Sequence, residues 1–290
     1  MRQIWRNMDN KGYFDLACQH APWNKGVECG YECKNHRTYD AYLSNTEFDK
    51  FVYEMEQKYN HVYQEYCKGQ GGELKEKRYP PKMAALASSS RMIYLTSRDI
   101  PGFEFEKKLP AGGAYGTPNL DGYLSTPTHE IFVEAKCHEM FSAPNNKIAN
   151  CYLELYKKIG TDGPFAYKDE SFWWNGIKLQ CLDLKQLICH YLGIINAFKT
   201  NSTLQNKRIR FIYYTHALSA DEKQYLLNIS PRCLSNIEKT LARESQEIAM
   251  VDHRWLFAKI AQILNAPSAI SDNFELVHCE TPDEFVSMLK

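Results

Sequence analysis

The chain has no excess charge of either sign: Lys and Arg number 35, Asp and Glu number 35, and the formal net charge is +0. Proteins that coat nucleic acid without regard to sequence are usually basic. Neutrality therefore excludes a bulk packaging role, though not an enzyme with a local basic groove. A long apolar run is also missing. The longest, Leu187 to Phe198, is broken by His190 and Asn196 and is too short to span a bilayer, so no membrane partner is expected. Met1-Arg2-Gln3-Ile4-Trp5-Arg6 offers no apolar stretch of the kind a secretion signal needs. The expected location is the cytoplasm, where the 10 cysteines would be mostly thiols. Internal repeats and low-complexity tracts are absent. So is the two-residue cysteine spacing usual for zinc, although Cys18, His20, Cys29, Cys33 and His36 crowd into one segment. Cys and His suit a structural zinc site, and the missing spacing argues against a local one there.

What is present suits a packed enzyme core. Hydrophobic residues make up 44% of 290, enough for one large domain or a core with an extension. The first forty residues show no clear periodicity. From Thr46, a plausible N-cap, Phe48, Phe51, Val52, Met55, Tyr59, Val62, Tyr63 and Tyr66 recur at helical spacing. Gly69, Gly71 and Gly72 close that helix, and Lys75, Lys77, Arg78, Pro80 and Pro81 read as an exposed loop. A boundary near residue 80 divides an N-terminal extension, partly helical, over 1–80 from a main domain over 81–290. Within the latter a helix is expected from Met83 to Ser97 and an alternating strand at Phe103-Glu104-Phe105-Glu106. A Gly-rich loop at Ala111-Gly112-Gly113 is followed by strands over 119–124 and 130–137. Residues 138–182 offer only a short helix near Asn150 to Ile159. A long helix over Asp183 to Phe198 follows, then a strand over 208–215. Further helices, a short strand over 274–279 and a last helix after Thr281-Pro282-Asp283-Glu284 complete the chain. Helix, three strands, helix and strand make an α/β sandwich with a mixed sheet, the last strand returning by a crossover.

Glu134-Ala135-Lys136 ends the apolar run Ile131-Phe132-Val133, one strand after Asp121. An acid and a lysine two apart on a strand share a face, and a second acid from the neighbouring strand can join them. Two carboxylates and an ammonium at one point suit a divalent metal and a phosphate. On an exposed edge such a pair is merely solvated; on an interior strand paired charges need a reason.

The element order and these residues resemble the PD-(D/E)XK nuclease superfamily, with its restriction endonuclease-like αβββαβ core and mixed central sheet flanked by helices. Asp121 matches the first acid and Glu134-Ala135-Lys136 the second part of the signature. Pro118 stands three residues before the acid, so the literal Pro-Asp pair is absent. Gln186 resembles the opening of a Gln-x-x-x-Tyr element found in the RecB-like and Cas4-like branches, with Tyr191 one residue late. Residues 80–215 also look like a set of bacterial restriction endonuclease-like proteins. The shared phrases are Ala87-Ser88-Ser89-Ser90, Phe105-Glu106, Asn119-Leu120-Asp121, Val133-Glu134-Ala135-Lys136 and Leu184-Lys185-Gln186.

The resemblance implies Mg²⁺-dependent hydrolysis of DNA phosphodiesters, with Mn²⁺ as a substitute ion and a homodimer as the arrangement double-strand cleavage often uses. Mg²⁺ takes hard oxygen ligands: Asp121, Glu134 and the carbonyl of Ala135. Lys136 would orient the attacking water and stabilise charge on the phosphate. Glu106 is a further carboxylate, with Glu104 as its fallback. Gln186 is either a site residue or a capping-box residue for Asp183. Ser88 and Ser89 pack or support the site. Trp173 and Trp174 stack on bases or form a satellite core. Two rival readings remain open: a nuclease fold that binds nucleic acid or a partner without cutting, and a hydrolase of small phosphate esters. The latter requires a closed pocket, the nuclease an open basic groove.

Overall fold

The computed structural model describes residues 9–33, 37–68, 72–74, 80–110, 117–142, 146–201, 204 and 206–290. His36, Gly69, Gly71, the Lys75, Lys77 and Arg78 loop, Ala111-Gly112-Gly113 and Met1 to Arg6 lie outside the described residues. The N-terminal part holds helix α1 (Asn10–Ala17), an antiparallel hairpin β1 (Cys29–Glu32) and β2 (Thr38–Leu43), and helices α2 (Asn45–Lys58) and α3 (Asn60–Lys68). Next come α4 (Ser89–Ser97), β3 (Glu104–Lys108), β4 (Asn119–Ser125), β5 (His129–Lys136) and α5 (Asn150–Ile159). Three short strands, β6 (Phe165–Lys168), β7 (Ser171–Trp174) and β8 (Ile177–Lys178), precede α6 (Leu184–Thr200) and β9 (Arg208–Thr215). Helices α7 (Ala220–Ile229), α8 (Pro231–Met250), α9 (His253–Ile263) and α10 (Ser268–Asp272) lead to β10 (Phe274–Cys279) and α11 (Pro282–Met288).

The architecture is mixed α/β: a five-stranded mixed sheet, in the order β10-β9-β5-β4-β3, with helices on both faces. Strands β3, β4 and β5 form an antiparallel meander, while β9 pairs parallel to β5 and β10 parallel to β9. A parallel neighbour cannot be reached by a tight turn, and α6 belongs to the long connection between β5 and β9. Burial on both faces explains the unbroken apolar run in β5. Its odd residues Ile131, Val133 and Ala135 join a core with Met92 and Ile93 of α4, Phe285 of α11, and Phe14 and Met55 of the N-terminal part. Phe132 joins the opposite core, with Leu187, Ile188 and Ile195 of α6 and Phe257 of α9. Residues from both sides of the boundary near 80 therefore share one hydrophobic cluster. None of the described helices is long and apolar enough to cross a membrane.

Several boundaries differ from the sequence reading. Ser44, not Thr46, caps α2, accepting from the Glu47 N–H, and the expected single helix breaks at Tyr59, whose φ of −132° and ψ of 46° are not helical. The helix expected from Met83 begins only at Ser89: Lys82–Ala84 is a 3₁₀ turn and Ser88 is the cap. Residues 165–178, expected to lack structure, form a second sheet of order β6-β7-β8. Ser171, Phe172 and Trp174 of β7 are all buried, so no polar alternation betrays the strand. Trp174 packs edge-on to Trp255, and Trp173 lies under the ammonium of Lys168.

Gly193 lets α6 sit close against the β3–β4 connection. A Cβ there would lie 2.7 Å from Leu109 Cβ and 2.8 Å from Pro118 Cγ. Gly193→Ala is expected to destabilise the fold by about 1–3 kcal/mol, as overpacked interfaces do. The measurement is the urea midpoint, and an unchanged midpoint would mean that the helix is not seated so tightly.

Candidate active site

The site is built where the meander stops pairing regularly. Phe105 pairs with Gly122 and Lys107 with Leu120, which leaves Glu106 and Asp121 opposite each other. Gly122 pairs with Val133, which leaves Asp121 opposite Glu134. Three acids thus line up in one row across β3, β4 and β5. Like charges directly opposite one another destabilise a sheet, and the backbone is distorted at this row. Glu106 has φ +52°, a left-handed conformation costing a non-glycine residue about 1–3 kcal/mol. The kink resets the alternation, so Lys107 returns to the face of Glu104 and pairs with it at 2.6 Å, over the Tyr123 ring. Glu104 is thereby occupied, and Glu106 is the acid in the row. Asn119 donates a hydrogen bond to it.

Asp121 accepts a hydrogen bond from the Ala135 N–H through Oδ2, at 2.8 Å. The N–H and C=O of one strand residue point to the same side, so the Ala135 carbonyl is turned toward β4 as well. On β5, Glu134 and Lys136 face α6. Lys136 Nζ lies 2.6 Å from Glu134 Oε1 and donates to Gln186 Oε1 at 2.6 Å. His190 Nε2 lies 2.9 Å from Glu134 Oε2, an ion-pair distance without hydrogen-bond alignment. Glu134 and His190 are each 2% exposed and Lys136 is 7% exposed. The match follows from two repeats. Two strand residues advance about 6.6 Å and four helix residues about 6 Å, so Lys136 meets Gln186 while Glu134 meets His190.

Gln186 reconciles its two expected roles. Its backbone N–H is capped by Asp183 Oδ1 at 2.9 Å, while its side chain serves Lys136. His190 occupies the fourth position after Gln186; Tyr191 turns away and meets His253 Nδ1 at 2.9 Å. His190 was not anticipated as a site residue. Its signal was the polar break in an apolar helix, one turn after Gln186. Glu139 also stands beside the site. It accepts from the N–H groups of Cys137 and His138 at 2.7 and 2.9 Å, and from Ser89 at 3.1 Å, so it holds the turn after β5 against α4. Ser88 is the α4 cap. His138 pairs with Asp15 of α1 at 2.8 Å. Trp173 and Trp174 are not brought to the site. Cys137 and Cys181 are buried, whereas Cys189 is half-buried and donates to Tyr152 at 3.5 Å. Cys29 and Cys33 are half-buried thiols, and His20 packs on Tyr225 instead of joining them.

Electrostatics divide the acids. Burial would raise the Glu134 carboxyl, but the charges of Lys136 and His190 outweigh it and hold the group at about 2. Burial would likewise lower the Lys136 ammonium, and Glu134, Glu139 and Asp121 hold it above its usual value. Asp121 is pushed well up, first by loss of water and then by the negative charge of Glu134. Glu106 is raised by burial and by Glu73. Glu134, Asp121 and Glu106 converge here on one ammonium and one imidazole, and Glu134 Oε2 is buried without a hydrogen bond. That donor set, carboxylate and carbonyl oxygens short of positive charge, fits a divalent cation.

The site opens into a groove of about 1460 Å³, whose walls include Lys68, Lys82, Lys108, Glu73, Ser90 and Glu139. The groove is open, as expected for a polymer substrate. It is not basic: acids outnumber lysines among the described lining residues. Comparison of the chain with models of protein families, with curated proteins and with solved structures returns no match.

The raised Asp121 carboxyl has a signed consequence. An unfolded Asp ionises near ~3.9. The folded state keeps its proton to higher pH, so this group's stabilisation is full below that value and is lost as pH rises through the folded pKa. An Asn side-chain oxygen still accepts from Ala135. Asp121→Asn is therefore expected to melt at a higher temperature than wild type at pH 7 in EDTA, by a few degrees, with the advantage gone below pH ~3.9. Added Mg²⁺ or Mn²⁺ should raise the wild-type melting temperature and leave that of the variant unchanged. Thermal melts with both ions decide it: a variant less stable than wild type in EDTA at pH 7 would show that Asp121 carries no such strain.

Proposed function

We propose that the protein is a metal-dependent nuclease with a restriction endonuclease-like core, hydrolysing phosphodiester bonds of DNA. The observation that carries this reading is the convergence of Asp121, Glu134 and Lys136 on the floor of an open groove, from adjacent strands of the meander that precedes α6 and β9. With α5 and the small β6–β8 sheet read as an insertion, the order α4, three strands, α6, β9 supports the core this signature accompanies. A fold alone does not dictate activity; the reading rests on the donor set and the buried lysine.

Asp121, Glu134 and the Ala135 carbonyl would hold Mg²⁺, or Mn²⁺ in its place, with Glu106 at the edge of the row. The bound ion supplies Lewis-acid polarisation of the phosphate and neutralises developing charge. Lys136 has three donors. Glu134 and Gln186 engage two, and the third serves a water or a phosphate oxygen. Gln186 fixes the ammonium's direction, so little reorganisation accompanies charge development. His190 flanks Glu134 on its far oxygen and keeps it ionised. The groove volume exceeds the roughly 300–1,000 Å³ usual for small-molecule pockets, which favours a polymer over a small phosphate ester. A silent binding protein would have no use for a buried Lys–Glu pair beside two further acids.

Purified protein is expected to nick supercoiled plasmid with Mg²⁺ or Mn²⁺ and not with EDTA. Lys136→Ala should lower the rate by about 10²–10³, the loss typical of removing one donor to developing charge. Circular dichroism must show this variant folded. Asp121→Asn, expected to fold at least as well as wild type, should be equally inactive. No cleavage of plasmid, linear DNA, single strands or RNA would sink the proposal, as would cleavage that survives both substitutions.

A further inference from the structure

A second cluster borders the core on the α4 side of the sheet, the face opposite Glu134 and Lys136. Cys18 opens the 3₁₀ turn after α1, Cys137 follows Lys136 at the end of β5, His216 follows β9, and Glu222 sits in the first turn of α7. All four are buried. Ligand atoms of Cys18, His216 and Glu222 lie within 4.8 Å of one another, and the Cys18 and Cys137 thiols are in hydrogen-bond contact. His216 Nε2 is 2.7 Å from Glu222 Oε1. The other ring nitrogen, Nδ1, is buried without a partner, although a buried imidazole nitrogen normally has one. Trp23 and Phe14 pack edge-on against the ring, at 4.4 and 5.9 Å between centroids, and hold it away from water.

We infer that Cys18, Cys137, His216 and Glu222 form a structural Zn²⁺ site that fastens the N-terminal segment to the ends of β5 and β9. Two thiolates, an imidazole and a carboxylate are a four-ligand set that suits Zn²⁺, and the soft sulfurs discriminate against Mg²⁺. Metal–ligand bonds of about 2.0–2.3 Å place tetrahedral ligands roughly 3–4 Å apart, so Cys18, His216 and Glu222 need only small movements, and Cys137, beside Cys18, completes the set by turning toward them. Exchange of two thiol protons for one Zn²⁺ leaves the net charge of the buried cluster unchanged and avoids the cost of adding an unbalanced ion to the interior. Glu222 can instead keep its bond to Nε2 and orient the ring while Nδ1 coordinates, the usual arrangement of a carboxylate behind a zinc histidine.

The inference is independent of the proposed hydrolysis. The test is metal analysis of the full-length protein purified from zinc-supplemented culture, with Co²⁺ substitution as a second readout. Expected are one equivalent of Zn²⁺ per chain and, after substitution, intense tetrahedral Co²⁺ bands with thiolate charge-transfer absorption. Asp121→Asn should retain both signals, and Cys18→Ser/Cys137→Ser should lose both. The wild-type spectrum tests the idea even if the double variant fails to fold. Absence of tightly bound zinc together with absence of thiolate-to-Co²⁺ absorption in wild type overturns the site. So does a Cys18–Cys137 disulfide in protein purified with zinc, or a thiolate signal that persists in the double variant.

Discussion

An ammonium and a carboxylate 2.6 Å apart, at the C-terminal end of the central strand β5, constrain most of what surrounds them. Removing both from water is costly, and their mutual attraction repays it only with further partners. The structure supplies three such partners, two from α6 and one from β4. Gln186 holds the ammonium, His190 flanks the carboxylate, and Asp121 adds negative charge from β4. Two apolar side chains of similar volume would serve stability as well or better, so stability alone does not explain the pair. Glu130, on the same strand and face, provides the contrast. Tyr123, Ser125 and Lys207 satisfy it fully. Glu134 keeps one oxygen without a hydrogen bond. One strand thus carries a structural acid at one end and a chemically available one at the other.

The topology turns this pair into a site. Because β9 lies parallel to β5, the chain must cross over between them, and α6 lies across the face that Glu134 and Lys136 present. The near-equal rise of two strand residues and four helix residues then brings Gln186 and His190 into register with the two charges. On the other side, the left-handed kink at Glu106 and the turn of the Asp121 carboxylate toward Ala135 replace regular pairing with a row of acids. The distortion sits at the row itself, and β3 and β4 pair regularly on either side of it. The N-terminal segment reaches the same region from behind, through Asp15 to His138 and through Cys18 to Cys137.

Much of the sheet was legible because its strands carry strong local signals. The apolar run of β5, the β-branched and aromatic residues of β9 and the capping boxes of α7 and α11 are written in consecutive residues. The small β6–β8 sheet was not legible, because Ser171 is buried on one face of β7 as Phe172 and Trp174 are on the other, and Trp173 is aromatic too, which leaves no alternation to see. The break at Tyr59 and the late start of α4 were hidden for a different reason. The apolar spacing continues through both, while the backbone follows Ser44 and Ser88 caps that compete with other plausible caps.

By itself the sequence determined that two acids and a lysine with strand spacing stand at the end of an apolar run, and that a capped amphipathic helix follows. Those are properties of neighbouring residues, set by strand and helix periodicity. Only the tertiary structure decided that Glu106 and not Glu104 joins the row, because a left-handed residue cancels the alternation that made them equivalent. It alone placed His190 beside Glu134, and Cys18 beside Cys137, His216 and Glu222. Those groups are far apart along the chain, and no local period links residues brought together by a crossover and by the packing of separate segments on one sheet.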